Sequence, residues 1–140
     1  MSTVTSETKD KITVGLTPAG GASLERVMGT GRFKTDLDAY RLAISVALAR
    51  GLVADPDAMT GVKTKFNVGS LDPDGRIRTM IGLMVPEAGT RVYDHAERRA
   101  EAGLEFLARK LVDDNALLSE VLLGEEQVRQ DEESQRPADS

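Results

Sequence analysis

The sequence predicts a mostly helical α+β fold with two strand–helix–helix units, a small antiparallel ribbon and a C-terminal helix. Two short segments alternate polar and apolar residues, and apolar residues at helical spacing follow each of them. The chain has 140 residues, 40% of them hydrophobic, which suits one globular domain. We expect this domain to span residues 9–124, with units at about 9–51 and 63–112 and a last helix at about 114–123.

The first unit opens with K-I-T-V-G-L-T at residues 11–17, where polar and apolar residues alternate with period two. Successive side chains of a strand point to opposite faces of a sheet, so this alternation is typical of a half-buried strand. The pattern predicts a strand whose buried face carries Ile12, Val14 and Leu16.

Two capped helices are predicted after this strand. Thr17 and Pro18 form an N-cap followed by proline at the first helical position, and Thr35 can cap the second helix. The second helix is expected to close near Gly51, and residues 51–62 to form a connection. The apolar stripes are Leu24, Val27 and Met28 in the first helix, and Leu37, Tyr40, Ile44, Ala47 and Leu48 in the second.

The start of the second unit resembles the start of the first. Residues 9–20 read K-D-K-I-T-V-G-L-T-P-A-G, and residues 63–75 read K-T-K-F-N-V-G-S-L-D-P-D-G. One inserted residue, Ser70, aligns the two stretches, and the apolar spacing that follows also matches. We therefore predict a duplicated strand–helix–helix unit.

The D-P-D-G stretch at residues 72–75 fits a calcium loop, a tight turn or the start of a helix. A calcium loop that begins at Ser70 would place Ile81 at position 12, where a bidentate carboxylate is needed. Asp72 and Pro73 suit a helix cap and the first helical position. We therefore predict a helix start rather than a metal site. The apolar residues of this helix, which Pro86 ends, are Ile77, Met80, Ile81 and Met84.

Two more helices are predicted. The first begins near Thr90, and its small residues would allow a close helix neighbour. Its stripe is Val92, Ala96, Ala100, Gly103 or Leu104, Leu107 and Leu111. Asp113 or Asp114 can cap the last helix. The apolar residues of that helix are Leu117, Leu118, Val121 and Leu122.

The net charge of −5 is distributed unevenly. Residues 1–50 carry seven basic and five acidic residues, residues 51–110 carry nine of each, and residues 111–140 carry two basic and nine acidic. Residues 125–140 are therefore predicted to form a disordered acidic tail, and the polar residues 1–8 a disordered N-terminus. The low isoelectric point does not exclude a nucleic-acid surface on the domain.

Several classes of protein are disfavoured by composition. The absence of cysteine excludes disulfides and thiolate catalysis. No apolar run approaches the ~20 residues of a membrane-spanning helix, and the N-terminus lacks the apolar core of a secretory signal. We expect a cytoplasmic protein with no membrane partner.

No catalytic constellation is evident. His95 is the single histidine, and the adjacent Asp94 points to a different helical face. We interpret His95 as a surface or core-edge residue. The acidic pairs Asp55/Asp57 and Asp72/Asp74 are explained by caps or turns, and Glu97, Arg98, Arg99 and Glu101 by a charged helix face. We therefore expect no enzyme, no cofactor and no metal.

The stretches K-I-T-V-G-L-T, L-E-R-V-M and G-R-F-K-T-D-L-D-A-Y-R-L-A-I-S-V-A-L-A-R-G resemble the ribbon–helix–helix DNA-binding fold. The resemblance covers residues 11–51 and, more loosely, 65–111. In that family two strands form an antiparallel ribbon that enters the major groove, and the start of the second helix holds a phosphate. Because both units lie in one chain, the ribbon can form within one chain or between two chains, and the sequence leaves this open. The resemblance also implies DNA-reading residues at Lys11, Thr13, Lys65 and Asn67.

Two functions remain open at this point. The first is a small DNA-binding regulator, or the DNA-binding subunit of a larger system, with double-stranded DNA as its partner. The second is a protein–protein assembly or adaptor subunit, in which the same four polar residues are a solvated sheet face. This second reading implies protein partners or a homo-oligomer.

Overall fold

The structure is a computed structural model, and it describes residues 9–123. Its two strands are β1 (Thr13–Leu16) and β2 (Lys63–Asn67). The α-helices are α1 (Pro18–Met28), α2 (Asp36–Arg50), α3 (Val68–Leu71), α4 (Arg76–Met84), α5 (Val92–Ala108) and α6 (Leu118–Leu123). Short 3₁₀ turns lie at Pro56–Ala58 and Pro86–Ala88, and one π turn at Arg109–Asp113 extends α5. The predicted mostly helical α+β class is confirmed. The predictions for residues 1–8 and 125–140 lie outside the described residues.

The two strands pair antiparallel, as predicted, and they do so within one chain, which the sequence leaves open. Thr13 lies opposite Asn67, and Val14 lies opposite Phe66. The register then shifts, so that Gly15 pairs with the second residue of β2, Thr64. We call this pair of strands the ribbon.

The first unit forms as its caps predict. The Thr17 side chain accepts a hydrogen bond from Gly20 N at 3.1 Å, and Pro18 occupies the first position of α1. Thr35 caps α2 by accepting from Asp38 N at 3.1 Å. Helix α2 ends at Gly51, whose φ of 69° lies in the left-handed region that glycine adopts without strain.

The second unit departs from the predicted twin at Val68. The residues V-G-S-L, aligned with the end of the first strand, form the one-turn helix α3 instead. Arg41 stabilises this turn by donating to Leu71 O at 2.9 Å and Ser70 O at 2.8 Å. A distant side chain thus satisfies carbonyl groups at the end of α3, and the local pattern carries no sign of this partner.

Asp72 caps α4, but not in the predicted way. The helix begins at Arg76, so Pro73 is not its first residue. The two carboxylate oxygens of Asp72 accept from Ile77 N at 2.9 Å and Arg78 N at 3.0 Å. Tyr93 also donates its hydroxyl to Asp72 at 2.8 Å, and burial together with this bond raises the pKa of Tyr93 to about 12. Asp72 therefore links α4 to α5.

The core lies between the ribbon and the helices, and most of the predicted stripes are buried in it. One prediction on the strand is wrong, because Ile12 is 82% exposed whereas Val14 and Leu16 are buried. Strand pairing begins at Thr13, and no described element covers the Ile12 side chain. In the last helix Val121 is buried, but the predicted Leu117 and Leu122 are exposed.

Helices α2 and α5 pack closely, as the small residues predict. Ala39, Ala43 and Ala47 of α2, and Ala96 and Ala100 of α5, are fully buried. At Gly103 of α5 the two backbones meet, and a Cβ there would overlap the carbonyl oxygen of Ala43. Because both partners in this contact are backbone, no side-chain rotation can make room for an added Cβ.

We expect Gly103→Ala to lower the free energy of unfolding by roughly 1–3 kcal/mol, because the added methyl group forces the two helices apart. Urea denaturation would measure this change. The matched control is Gly82→Ala in α4, where an added Cβ has no neighbour within 4 Å. This control should stabilise the protein by about 0.5–1 kcal/mol. Equal effects of the two substitutions would contradict the close packing.

Candidate nucleic-acid interface

The ribbon is the candidate interface, and its exposed part is mainly β2. Lys63, Thr64, Lys65 and Asn67 are exposed, whereas Phe66 is half-buried. The Phe66 ring packs edge-on against Tyr40, with 5.2 Å between the ring centroids and an interplanar angle of 70°. This aromatic contact fixes which side of β2 faces the core.

A β-bulge shapes the middle of the ribbon. Because Val14 pairs with Phe66 and Gly15 pairs with Thr64, Lys65 is the extra residue on β2. A Cβ on Gly15 would overlap the carbonyl oxygen of Lys63. Glycine is therefore needed at position 15, because the backbone of β2 approaches there too closely for a side chain.

Side chains of two helices bind the outer edge of β1, opposite β2. Gly15 N donates to Glu97 Oε2 at 2.9 Å, and Gly15 O accepts from the Tyr40 hydroxyl at 3.0 Å. One turn further along α5, Glu101 accepts from Thr17 N at 3.1 Å and from Thr17 Oγ1 at 2.5 Å. The outward backbone groups of Gly15 and the Thr17 N–H are thus satisfied without a third strand.

Tyr40 can only be a donor in this arrangement. Burial raises the pKa of its hydroxyl well above the usual value, and the nearby carboxylates of Glu97 and Glu101 raise it further. The phenol therefore keeps its proton and donates it to Gly15 O.

The N-terminal end of β1 is tied to α5 as well. The Lys11 ammonium contacts Glu97 Oε1 at 2.7 Å, and the lysine side chain is 33% exposed against 3% for the glutamate. The Asp10 carboxylate accepts from Tyr93 N at 2.8 Å and Asp94 N at 3.1 Å, so it caps the start of α5 from outside the helix. Asp10 therefore fixes the position of α5 relative to β1.

The four residues implied by the resemblance are not equivalent in the structure. Thr13 and Asn67 lie opposite each other, and Lys65 precedes Asn67 on the same strand by two residues. Among residues 9–123, the side chains of Lys65 and Asn67 make no hydrogen bond or ion pair, so both are open to a ligand. Lys11, in contrast, is engaged by Glu97.

The start of α2, where the resemblance places a phosphate, has mixed charge. Asp36 and Asp38 lie in its first turn, and Thr35 already accepts from Asp38 N. Arg32 and Lys34 are exposed just before the helix. Any attraction for a phosphate at this end must come from these two cations rather than from the first turn itself.

Two of the four residues predicted as a charged helix face are buried. Glu97 and Arg99 are buried, and so is His95 one turn earlier, which the sequence leaves between surface and core edge. Glu97 and Arg99 bind backbone groups far away in the sequence, so no local motif reveals these partners. One sequence feature could have indicated that these glutamates lie close to the core: Glu97 and Glu101 directly follow the buried stripe residues Ala96 and Ala100.

No protein-family model, curated protein or solved structure matches the chain. Within residues 9–123, no helix combines the length and the hydrophobicity needed to cross a bilayer. Among these same residues, no three His, Asp or Glu side chains are grouped so that they could hold a metal ion.

We expect Glu97→Ala to lower the free energy of unfolding by roughly 3 kcal/mol, because it leaves Gly15 N and the Lys11 ammonium without their acceptor. The matched control is Glu105→Ala, an exposed glutamate two turns further along the same helix. The control should change stability by no more than about 0.5 kcal/mol. Chemical denaturation would compare them, and similar losses would refute a special role for Glu97.

Proposed function

We propose that this chain binds double-stranded DNA by inserting the ribbon into the major groove, as a regulator or as the DNA-binding subunit of a larger system. The supporting observation is the antiparallel ribbon formed within one chain, with Thr13 opposite Asn67 and Lys65 exposed beside them. Helices α1 and α2 follow β1 in the order that the resemblance implies, whereas the one-turn helix α3 separates β2 from α4 and α5. The proposed role is non-catalytic and places the protein in the cytoplasm.

The dimensions and chemistry of the ribbon suit this role. The major groove of B-form DNA is about 12 Å wide and admits a two-stranded ribbon. Asn67 can form a bidentate pair with adenine, and Lys65 can reach the O6 and N7 acceptors of guanine. Because α5 holds the outer edge of β1, the ribbon is held in place before it meets DNA, which lowers the entropic cost of binding.

The charge balance predicts modest affinity with a shallow salt dependence. Residues 9–123 carry sixteen basic and sixteen acidic residues, so there is no large positive field. The exposed cations Lys63 and Lys65 on β2, with Arg32 and Lys34 before α2, supply the local positive charge. A few phosphate contacts give a correspondingly small slope of log K against log salt, at about 0.9 per neutralised phosphate.

A second candidate is the assembly or adaptor role, which exposed apolar residues favour. Ile12 is 82% exposed at the end of the ribbon, and Leu83 is 78% exposed on α4. Such large exposed apolar side chains are available to a protein partner, because apolar surface gains free energy when it is buried against another molecule. This second role requires protein partners or self-association rather than DNA.

We expect the intact protein to bind mixed-sequence duplex DNA at low salt, measured by fluorescence anisotropy. Lys65→Ala and Asn67→Ala should each weaken binding by roughly 5- to 100-fold to sequences selected from a random pool. Asn67→Ala should also relax the base preference of the selected pool.

The matched control is Arg109→Ala, which removes an exposed cation in the π turn that follows α5, about 12 Å beyond Glu101. This variant should bind DNA like the wild type. No binding by the intact protein at low salt, or an equal loss in the control, would refute the DNA role. A defined oligomer in light scattering would then favour the assembly role.

A further inference from the structure

The single histidine, His95, lies between two guanidinium groups of its own helix. Arg99 Nε donates to His95 Nε2 at 2.8 Å, and Arg98 Nη2 lies 3.4 Å from His95 Nδ1. The imidazole is 7% exposed. Because Nε2 accepts a hydrogen bond, it carries no proton, and the neutral ring has its proton on Nδ1.

The same two arginines hold the connection between α2 and β2. Arg99 Nη1 donates to Ala47 O at 3.2 Å and to Leu52 O at 2.9 Å, on either side of the turn that ends α2. Arg98 Nη1 donates to Ala54 O at 3.2 Å, and Ala54 N donates back to Arg98 O at 3.1 Å. Leu52 and Ala54, near the start of the connection, are therefore hydrogen-bonded to the two arginines between which the imidazole lies.

We infer that His95 is a pH-sensitive latch, which keeps the connection at residues 51–62 on α5 while neutral and releases it when protonated. Protonation of Nε2 removes the acceptor that orients Arg99 and places a third positive charge beside two guanidiniums. Arg99 then loses the geometry that holds Ala47 O and Leu52 O. The segment leading into β2 is freed, whether or not the ribbon binds DNA.

Four charged groups from two elements face the imidazole and, together with burial, shift the pKa of His95. Arg98, Arg99 and Asp94 face it from α5, and Glu87 faces it from the turn Pro86–Ala88. The pKa of His95 is lowered from its usual value by burial first, then by Arg99 and Arg98, and the two carboxylates oppose this only in part.

The sign of the pH effect follows from linkage. The closed state holds His95 neutral, whereas an exposed histidine in the open state takes up a proton near its usual pKa of 6.5. Stability of the latch is fully present above that value and is lost as the pH falls below it, until the closed state is protonated too. The ratio of open to closed molecules should rise by at most about 25-fold between pH 7 and pH 5.

Nuclear magnetic resonance of the untagged protein tests this directly, because one histidine gives one set of imidazole signals. We expect a neutral ring with its proton on Nδ1 at pH 7, and a midpoint of titration below 6.5. The protection factor of the Ala54 amide, corrected for intrinsic exchange, should fall up to about 25-fold from pH 7 to pH 5. The amide of Leu104, in the buried middle of α5, should change much less.

The matched variant is His95→Gln, whose amide oxygen can still accept from Arg99 but does not titrate. In this variant the protection of Ala54 should not depend on pH between 7 and 5. An ordinary midpoint for His95, an unchanged protection factor in the wild type, or the same pH dependence in the variant would overturn the latch. The wild-type titration decides the matter even when the variant fails to fold.

Discussion

Two glutamates of α5 take the place of a third strand along the outer edge of β1. A two-stranded ribbon by itself is marginally stable in water, because it buries little apolar surface unless it packs against another element. Glu97 and Glu101 accept from Gly15 N and Thr17 N, and the cost of burying the Glu97 carboxylate is offset by the Lys11 ammonium. The position of the ribbon therefore depends on α5, together with Tyr40 of α2.

This bonding depends in turn on the close packing of α2 and α5. Gly15 is contacted from both helices, through the Tyr40 hydroxyl of α2 and the Glu97 carboxylate of α5. Both can reach one residue of β1 because the helix axes are brought together where Gly103 meets Ala43. A larger residue at that crossing would separate the helices and lengthen at least one of the two bonds. A change at the small-residue contact between α2 and α5 should therefore also disturb the hydrogen bonds of Gly15.

Local sequence patterns predict the helix caps and the strand pairing, but they do not predict contacts between residues far apart in the chain. The caps Thr17 and Thr35 and the pairing of the two strands follow from spacing, turn chemistry and the duplicated motif. The engagement of Lys11 by Glu97 joins residues 86 apart in the chain, and no pattern within either segment reveals it. The helical turn at 68–71 is missed for the same reason, since Arg41 stabilises it from another element. The roles of Lys65 and Asn67 in DNA binding stay predictions.

The two ribbon strands differ in sequence but pair with approximate two-fold symmetry at their centre. The duplicated motif aligns Thr13 with Asn67, and the register pairs these same two residues, as an approximate two-fold axis through the ribbon requires. A symmetric dimer of this kind reads a palindromic site, because both strands present the same side chains. Here the first strand presents Thr13 and has its lysine bound by Glu97, whereas the second presents Asn67 and an exposed Lys65. If the ribbon binds DNA as proposed, we expect its site not to be palindromic, because each half of the site would meet a different strand.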